Sequence, residues 1–291
     1  MGIYLLLGLV WGGSFFFTKI GLHALTPTGV VFWRLFIGAL ALLVFIVIRR
    51  SPLSKNWKIW ALIGTGGLFM HSIPFTLFAY AQQNVTSILA SIINGATPIM
   101  TLLAILIFFR SEKISREIVI GLLIGMAGLM VVLAVWQGFG ENDPVAVGAM
   151  VLAICCYGIG GPFIKRFITP LNLPNEVAAF GQVGGAAVFM LPVYLTGPLV
   201  VGEISADVVL AMLALGAIGS GLAYIWYFQI IKVAGSAIAN SVTYITPLVA
   251  TFLGVLLLSE KLHWYEPVGA VVVIIGAMIS QGRLRLNRSY R

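Results

Sequence analysis

Long apolar runs, separated by short polar or charged stretches, occupy the chain almost from its first residue. Ten of them are read as spans against the roughly 20 residues that a helix needs to cross a hydrocarbon layer of about 30 Å, the last being the shortest at 15. They are Gly2 to Gly21, Pro27 to Ile48, Trp57 to Ala81, Val85 to Phe109, Ile118 to Trp136, Pro144 to Phe163, Glu176 to Leu195, Val208 to Ile231, Ser236 to Leu258 and Tyr265 to Ile279. The runs are continuous rather than alternating, and lipid offers no partner for unpaired backbone groups, so the pattern predicts helices and excludes a barrel. The expected fold class is an all-α integral membrane protein with ten transmembrane helices.

The last third of the chain repeats the middle of its first half. Ser87, Ala90, Thr97 and Pro98 recur as Ser236, Ala239, Thr246 and Pro247, at an offset of 149 residues. Glu112, Lys113, Gly121 and Gly128 recur as Glu260, Lys261, Gly269 and Gly276, at an offset of 148. Fainter echoes join Gly12, Gly13 and Phe15 to Gly160, Gly161 and Phe163, and Pro27 to Pro174. A run of matches on one nearly constant offset marks an internal duplication. Five spans per copy is an odd number, so the copies, 1–140 and 141–291, are expected to sit inverted in the bilayer around a central cavity.

Composition agrees with this reading. With 60% hydrophobic and 9% charged residues in 291, and a mean hydropathy of +1.06, the chain cannot coat a soluble globule of its size. The net charge of +8 suggests nucleic acid at first sight, but the basic residues are sorted by loop and form no stripe, and no nucleic-acid partner is expected. With both termini in the cytoplasm, inner loops and tail hold 14 of the 17 Lys and Arg, the outer side holds Lys19 and Lys261, and Arg34 lies within a span. That asymmetry is what the positive-inside rule produces. No basic residue precedes the first apolar run, which continues at spanning length, so no cleavable signal peptide is expected. Cys155 and Cys156 are neighbours within a span and read as small packing residues.

All nine acidic residues fall in loops or at helix ends. Proton-driven carriers commonly relay protons through intramembrane Asp, Glu or His, so a relay here rests on His71 or is absent. The same shortage of hard oxygen ligands disfavours a metal-cation cargo, and no metal site or cofactor is expected. Motifs of hydrolases, zinc proteases, and dinucleotide or phosphate-binding loops are missing, so no catalytic residue is assigned.

Arg34 lies seven residues after Pro27, about 10 Å along its helix. Either its guanidinium meets the carboxylate of a cargo or gating partner, or it bonds backbone carbonyls and fixes helix packing. His71, about 21 Å into the third span and followed by Pro74, marks local polarity near mid-bilayer, as a cavity group or as a satisfied structural one. Its helical face continues through Phe75 and Phe78. Further candidates are Trp11, Ser91, Asn94, Tyr157, Gln182, Tyr224, Tyr227, Asn240, Thr243 and Tyr244, each of which could equally serve interhelical packing. Asn94 aligns with Thr243 and Ser91 with Asn240, a pairing that a site at the repeat interface requires. Pro98 and Pro247, each preceded by Thr, are candidate hinges or static kinks.

The ten spans in two halves, the start at Trp11, Gly12 and Phe15 to Lys19, Arg34 after Pro27, and the matched blocks from Pro98 to Glu112 and Pro247 to Glu260 resemble the EamA branch of the drug/metabolite transporter superfamily. The likeness covers essentially the whole chain, and its overall pattern is most similar to YddG-type exporters of amino acids. The resemblance implies export of amino acids or similar amphipathic metabolites through a central cavity of a bacterial inner-membrane protein. It offers no fixed set of site residues to carry over. The expected cargo site therefore comprises His71, Trp11, Phe75, Phe78, Ser91, Asn94, Tyr157, Tyr224, Asn240, Tyr244 and Arg34. The expected mechanism is alternating access, with the lipid bilayer and a small-molecule cargo as partners, one chain sufficient and dimerisation left open. The rival readings are a nucleotide-sugar or sugar-phosphate exchanger, which calls for several deep basic residues, an intramembrane lipid-modifying enzyme, which calls for paired acid and base groups, and a passive pore.

Overall fold

A computed structural model of the chain describes residues 2–109, 116–132, 136, 143–198, 200–280 and 284. These residues are all-helical: α1 (Gly2–Gly21), α2 (Pro27–Arg49), α3 (Trp57–Ala81), α4 (Ser87–Phe109), α5 (Arg116–Val132), α6 (Pro144–Leu171), α7 (Asn175–Thr196), α8 (Ala206–Ala234), α9 (Ser236–Leu258) and α10 (Tyr265–Ser280). Eight of them are long and apolar enough to cross a membrane; α5 and α10 are the shorter two, apolar over Val119–Gly128 and Tyr265–Gly276. The repeat matches at Glu112 and Lys113, and the arginines from Arg283 onward, lie outside the described residues.

Local chemistry sets the helix starts. Pro27 and Pro144 occupy first turns, where a missing N–H costs nothing, behind the caps Thr26 and Asp143, whose side chains accept Gly29 N–H and Val145 N–H. α8 begins at Ala206, two residues before the hydropathy boundary, because Ser205 provides a cap. α6 runs on past Phe163 through a π turn at Ile164–Ile168 to Leu171, so the charged Lys165 and Arg166 belong to the helix end rather than to a loop.

α4 and α9 are both broken in mid-course. α4 stops at Asn94 and restarts at Thr97 after Gly95 and Ala96. α9 tightens to a 3₁₀ turn over Ser241–Tyr244 and restarts at Thr246. In each, the restart carries proline in its first turn, Pro98 or Pro247.

Two lysines cap helix ends at opposite poles of the bundle. Lys19 Nζ donates to the carbonyls of Gln82 (2.6 Å) and Val85 (3.0 Å), where α3 ends and α4 begins. Lys165 Nζ donates to the carbonyls of Ile231 (3.2 Å) and Lys232 (3.4 Å) near the end of α8. Its neighbour Arg166 donates to the Phe109 carbonyl at the far end of α4, which fixes the second cluster at the other pole. A cation on the carbonyl end of a helix is well placed both for hydrogen bonding and for the helix dipole.

The carboxylate of Glu260 serves the complementary end. Its oxygens accept Ser87 N–H (2.8 Å), the Ser87 hydroxyl (2.8 Å) and Ile88 N–H (3.2 Å) at the start of α4. α5 and α10 pack directly on each other. A Cβ on Gly128 would lie 2.6 Å from Val273 N, and one on Gly276 would lie 2.5 Å from the Gly121 carbonyl oxygen. The glycine face of α5 thus joins helices inside the fold by close backbone approach.

Candidate functional site

A cavity with about 680 Å³ of atom-free space, its mouth included, lies among α1, α2, α3, α4, α6, α8 and α9. Along α1 it is lined by Trp11, Ser14, Phe15 and Thr18, one helical stripe at i, i+3, i+4 and i+7. α2 contributes Val30, Val31 and Arg34; α3 contributes Met70, Phe75, Phe78, Ala79 and Gln82; α4 contributes Asn94 and Thr97. Tyr157, Tyr224, Asn240 and Thr243 complete it from α6, α8 and α9. It extends toward the pole where α1 ends, α2 begins and Gln82 closes α3.

At the other end the interior is filled. Tyr227 OH donates to Asn240 Oδ1 (2.5 Å), and Asn240 Nδ2 donates to Thr101 Oγ1 (2.6 Å), linking α8, α9 and α4. Tyr227 is fully buried and Phe228 nearly so. Gly161 lets α6 approach this cluster: a Cβ there would sit 2.7 Å from Asn240 Nδ2.

The cavity wall is aromatic. Trp11 stands 5.3 Å, centroid to centroid, from both Tyr224 and Tyr227, and its indole N–H donates to the Gly219 carbonyl (3.2 Å). Phe78 stacks on Tyr157 at 6.2 Å, with Phe15 edge-on to Phe78 at 5.7 Å. Tyr224 has a second anchor. Pro74 lacks the N–H that would normally bond Met70, and Tyr224 OH donates to that freed carbonyl instead (3.4 Å).

Arg34 provides the positive charge of the wall. Its guanidinium carbon lies 3.5 Å over the Phe75 ring, and Nε donates to Ser220 Oγ (2.7 Å). The residue is only 8% exposed. No carboxylate pairs with it among the described residues. Phe75 and Ser220 orient the guanidinium, and its terminal nitrogens remain available to an anion. No group of three or more His, Cys, Asp or Glu suited to a metal forms among the described residues.

The structure thus gathers Trp11, Arg34, Phe75, Phe78, Asn94, Tyr157, Tyr224 and Asn240 around one cavity. It puts His71, Ser91 and Tyr244 elsewhere. α3 makes a π turn at Leu68–Ser72, and the extra residue rotates the face so that Met70, not His71, reaches the wall. His71 is fully buried behind the wall, 4.2 Å from the Tyr224 ring and 5.3 Å from Phe75. Ser91 turns back on the Ile88 carbonyl at 2.7 Å. Tyr244, swung by the 3₁₀ turn of α9, packs with Val273 of α10. Sequence reasoning missed Ser14, Thr18, Gln82 and Thr97; the stripe that begins at Trp11 carried a usable signal for the first two. Nothing in the sequence pointed to Ser220 as the partner of Arg34.

The EamA-like transporter family model matches residues 1–134 and 145–281. The chain is similar to the uncharacterized transporter YyaM of Bacillus subtilis (strain 168), 22% identical with 99% of this chain and 96% of that protein covered. It is likewise similar to the uncharacterized inner membrane transporter YedA of Escherichia coli (strain K12), 24% identical over 96% of this chain and 89% of that one. A solved crystal structure matches with a TM-score of 0.74 at 21% identity, covering 97% of this chain and 98% of the other, a likeness of fold. Matched over both stretches of its length, the chain belongs to the EamA-like transporter family and is a multi-pass membrane transporter.

Proposed function

We propose that this transporter exports amino acids, aromatic and other neutral ones, together with related small metabolites across the inner membrane by alternating access. One observation carries the reading: a buried guanidinium without a carboxylate partner among the described residues, held by Phe75 and Ser220 in the wall of an aromatic cavity. The guanidinium takes the cargo carboxylate, and Trp11, Phe78, Tyr157 and Tyr224 contact its side chain. Asn94 and Asn240 orient its polar groups. His71 acts from behind, by holding Tyr224 and Phe75.

The architecture proposed is ten spans in two inverted five-helix repeats, 1–140 and 141–291. The two lysine clusters support it: Gln82 and Ile231 are related by the repeat offset of 149, and the lysines that cap them sit at opposite poles. The matched breaks of α4 and α9 before Thr-Pro support hinges at Pro98 and Pro247. With both termini cytoplasmic, the cavity faces outward and the Asn240 cluster closes the cytoplasmic side. One chain encloses the cavity, so a monomer suffices, and the mechanism calls for no cofactor.

The test is transport by the purified protein in liposomes against a panel of amino acids, with and without an imposed pH gradient. Saturable counterflow of aromatic or other neutral amino acids is the expected result. Movement of sugar nucleotides with no amino acid transported would overturn the cargo assignment.

A further inference from the structure

We infer that the cavity prefers aromatic monoanions, cargo with one carboxylate and no ammonium group, to zwitterions of the same shape. This deepens the reading of the cavity as the cargo site and rests on it. The guanidinium of Arg34 has five N–H groups. Nε–H is committed to Ser220 and one face of the plane is covered by Phe75, which leaves the edge bearing the terminal nitrogens for a bidentate carboxylate. A buried cation without a counter-ion is costly, so an occupant that neutralises it gains more than an uncharged one does.

Nothing comparable awaits an ammonium group. The described Asp and Glu residues lie in loops or at helix ends, and none of them lines the cavity. The groups on offer are all neutral: carboxamides such as Asn94 and Gln82, hydroxyls such as Ser14 and Thr97, and the faces of Trp11, Tyr157 and Tyr224. An α-ammonium also sits next to its own carboxylate, so a zwitterion docked on Arg34 must bring a second positive charge close to the guanidinium. The loaded site is then cationic with a zwitterion and neutral with a monoanion. At low local dielectric that difference decides the preference.

The preference also affects energetics. Outward movement of one negative charge is favoured by an inside-negative potential, about 50-fold in concentration ratio per 100 mV. Export of a monoanion would then need no intramembrane proton relay.

The test uses the full chain, purified, with three ligands of matched shape: 3-phenylpropionate (carboxylate only), L-phenylalanine (both charges) and 2-phenylethylamine (ammonium only). Binding is read by ligand-dependent thermal stabilisation. The expected result is an apparent Kd for 3-phenylpropionate at least tenfold below that for L-phenylalanine, with no stabilisation by 2-phenylethylamine. Arg34→Gln should erase the tenfold advantage and Arg34→Lys should keep part of it. Ser220→Ala, which frees the guanidinium without removing it, gives a second reading should Arg34→Gln fail to fold, and should narrow the ratio. L-phenylalanine binding as tightly as 3-phenylpropionate, or a ratio unmoved in the folded variants, overturns the inference while leaving amino-acid export standing. A preserved tenfold preference alongside no amino-acid counterflow upholds the inference and removes the amino-acid reading. No binding by any of the three overturns both.

Discussion

Asn240 and Thr101, 139 residues apart, are joined by a 2.6 Å hydrogen bond between Asn240 Nδ2 and Thr101 Oγ1 immediately beneath the cavity. Together with Tyr227 OH on Asn240 Oδ1, this bond ties three helices that must separate if the filled side is to open. Thr101→Val keeps the shape and removes the acceptor, leaving Asn240 Nδ2 with the Tyr157 carbonyl at 3.5 Å. A hydrogen bond present in one conformer only contributes about 1 kcal/mol, so the population should shift about fivefold toward the opened state. The shift is measured as the alkylation rate of a cysteine at Ser241, in a Cys155→Ala, Cys156→Ala background, by an impermeant reagent applied from the side opposite the cavity mouth. An unchanged rate would remove the Asn240 cluster from the gate.

At Gly158, α6 lies directly against the backbone of α4. A Cβ there would fall 2.6 Å from the Met100 carbonyl carbon and 2.7 Å from its oxygen, and backbone cannot step aside as a flexible side chain can. Gly158→Ala should therefore destabilise the protein by about 1–3 kcal/mol. Gly148→Ala, on the same helix with nothing within 4 Å of the added Cβ, should be neutral. Thermal melts of the two variants in one detergent check the contrast.

Much of this arrangement is legible in the sequence because lipid makes polarity expensive. Arg34 stood out because a charge seven residues into a span must face something polar. Trp11, Asn94, Tyr157 and Asn240 follow from the same argument. Depth does not encode azimuth, however. His71, Phe75 and Phe78 share a face on a regular α-helix, but the π turn at Leu68–Ser72, just before Pro74 and packed against α6 and α7, breaks the periodicity. Ser91 lies off the cavity for a different reason: a serine in a span can satisfy itself on its own helix, as it does on Ile88. Asn240 was legible as a polar group, whereas its bond to Thr101 was not, because the partner lies in the other half of the chain.

His71 and Gln182 form a buried polar pair that the cavity does not use. Neither ring nitrogen of His71 and neither side-chain polar atom of Gln182 has a hydrogen-bond partner, and both residues are fully inaccessible. An unsatisfied buried polar group costs about 1–3 kcal/mol, so removing either member relieves part of the cost and removing both relieves more. His71→Leu and Gln182→Leu should each melt at or above the parent temperature, and the double variant highest of the three. Since His71 touches cargo only through Tyr224 and Phe75, the pH profile of transport in the double variant should match that of the parent. A lost pH dependence would instead make His71 a proton-carrying group.

Pro247 lets α9 break. Its missing N–H cannot bond Thr243 O, which accepts the Thr246 hydroxyl instead at 2.7 Å, and the chain passes through a 3₁₀ turn over Ser241–Tyr244 before the helix resumes. Pro98 occupies the same position after the break in α4. Alanine at either site restores a donor and favours a continuous helix, which resists the bending that alternation requires. Pro98→Ala and Pro247→Ala should each slow counterflow turnover by about tenfold, equivalent to a barrier higher by about 1.4 kcal/mol. Cargo affinity should change by less than a factor of about two, since the bend rather than the binding surface is altered. Turnover and equilibrium binding, measured on the same preparations, separate the two readings: a static kink leaves turnover unchanged, and a hinge lowers turnover alone.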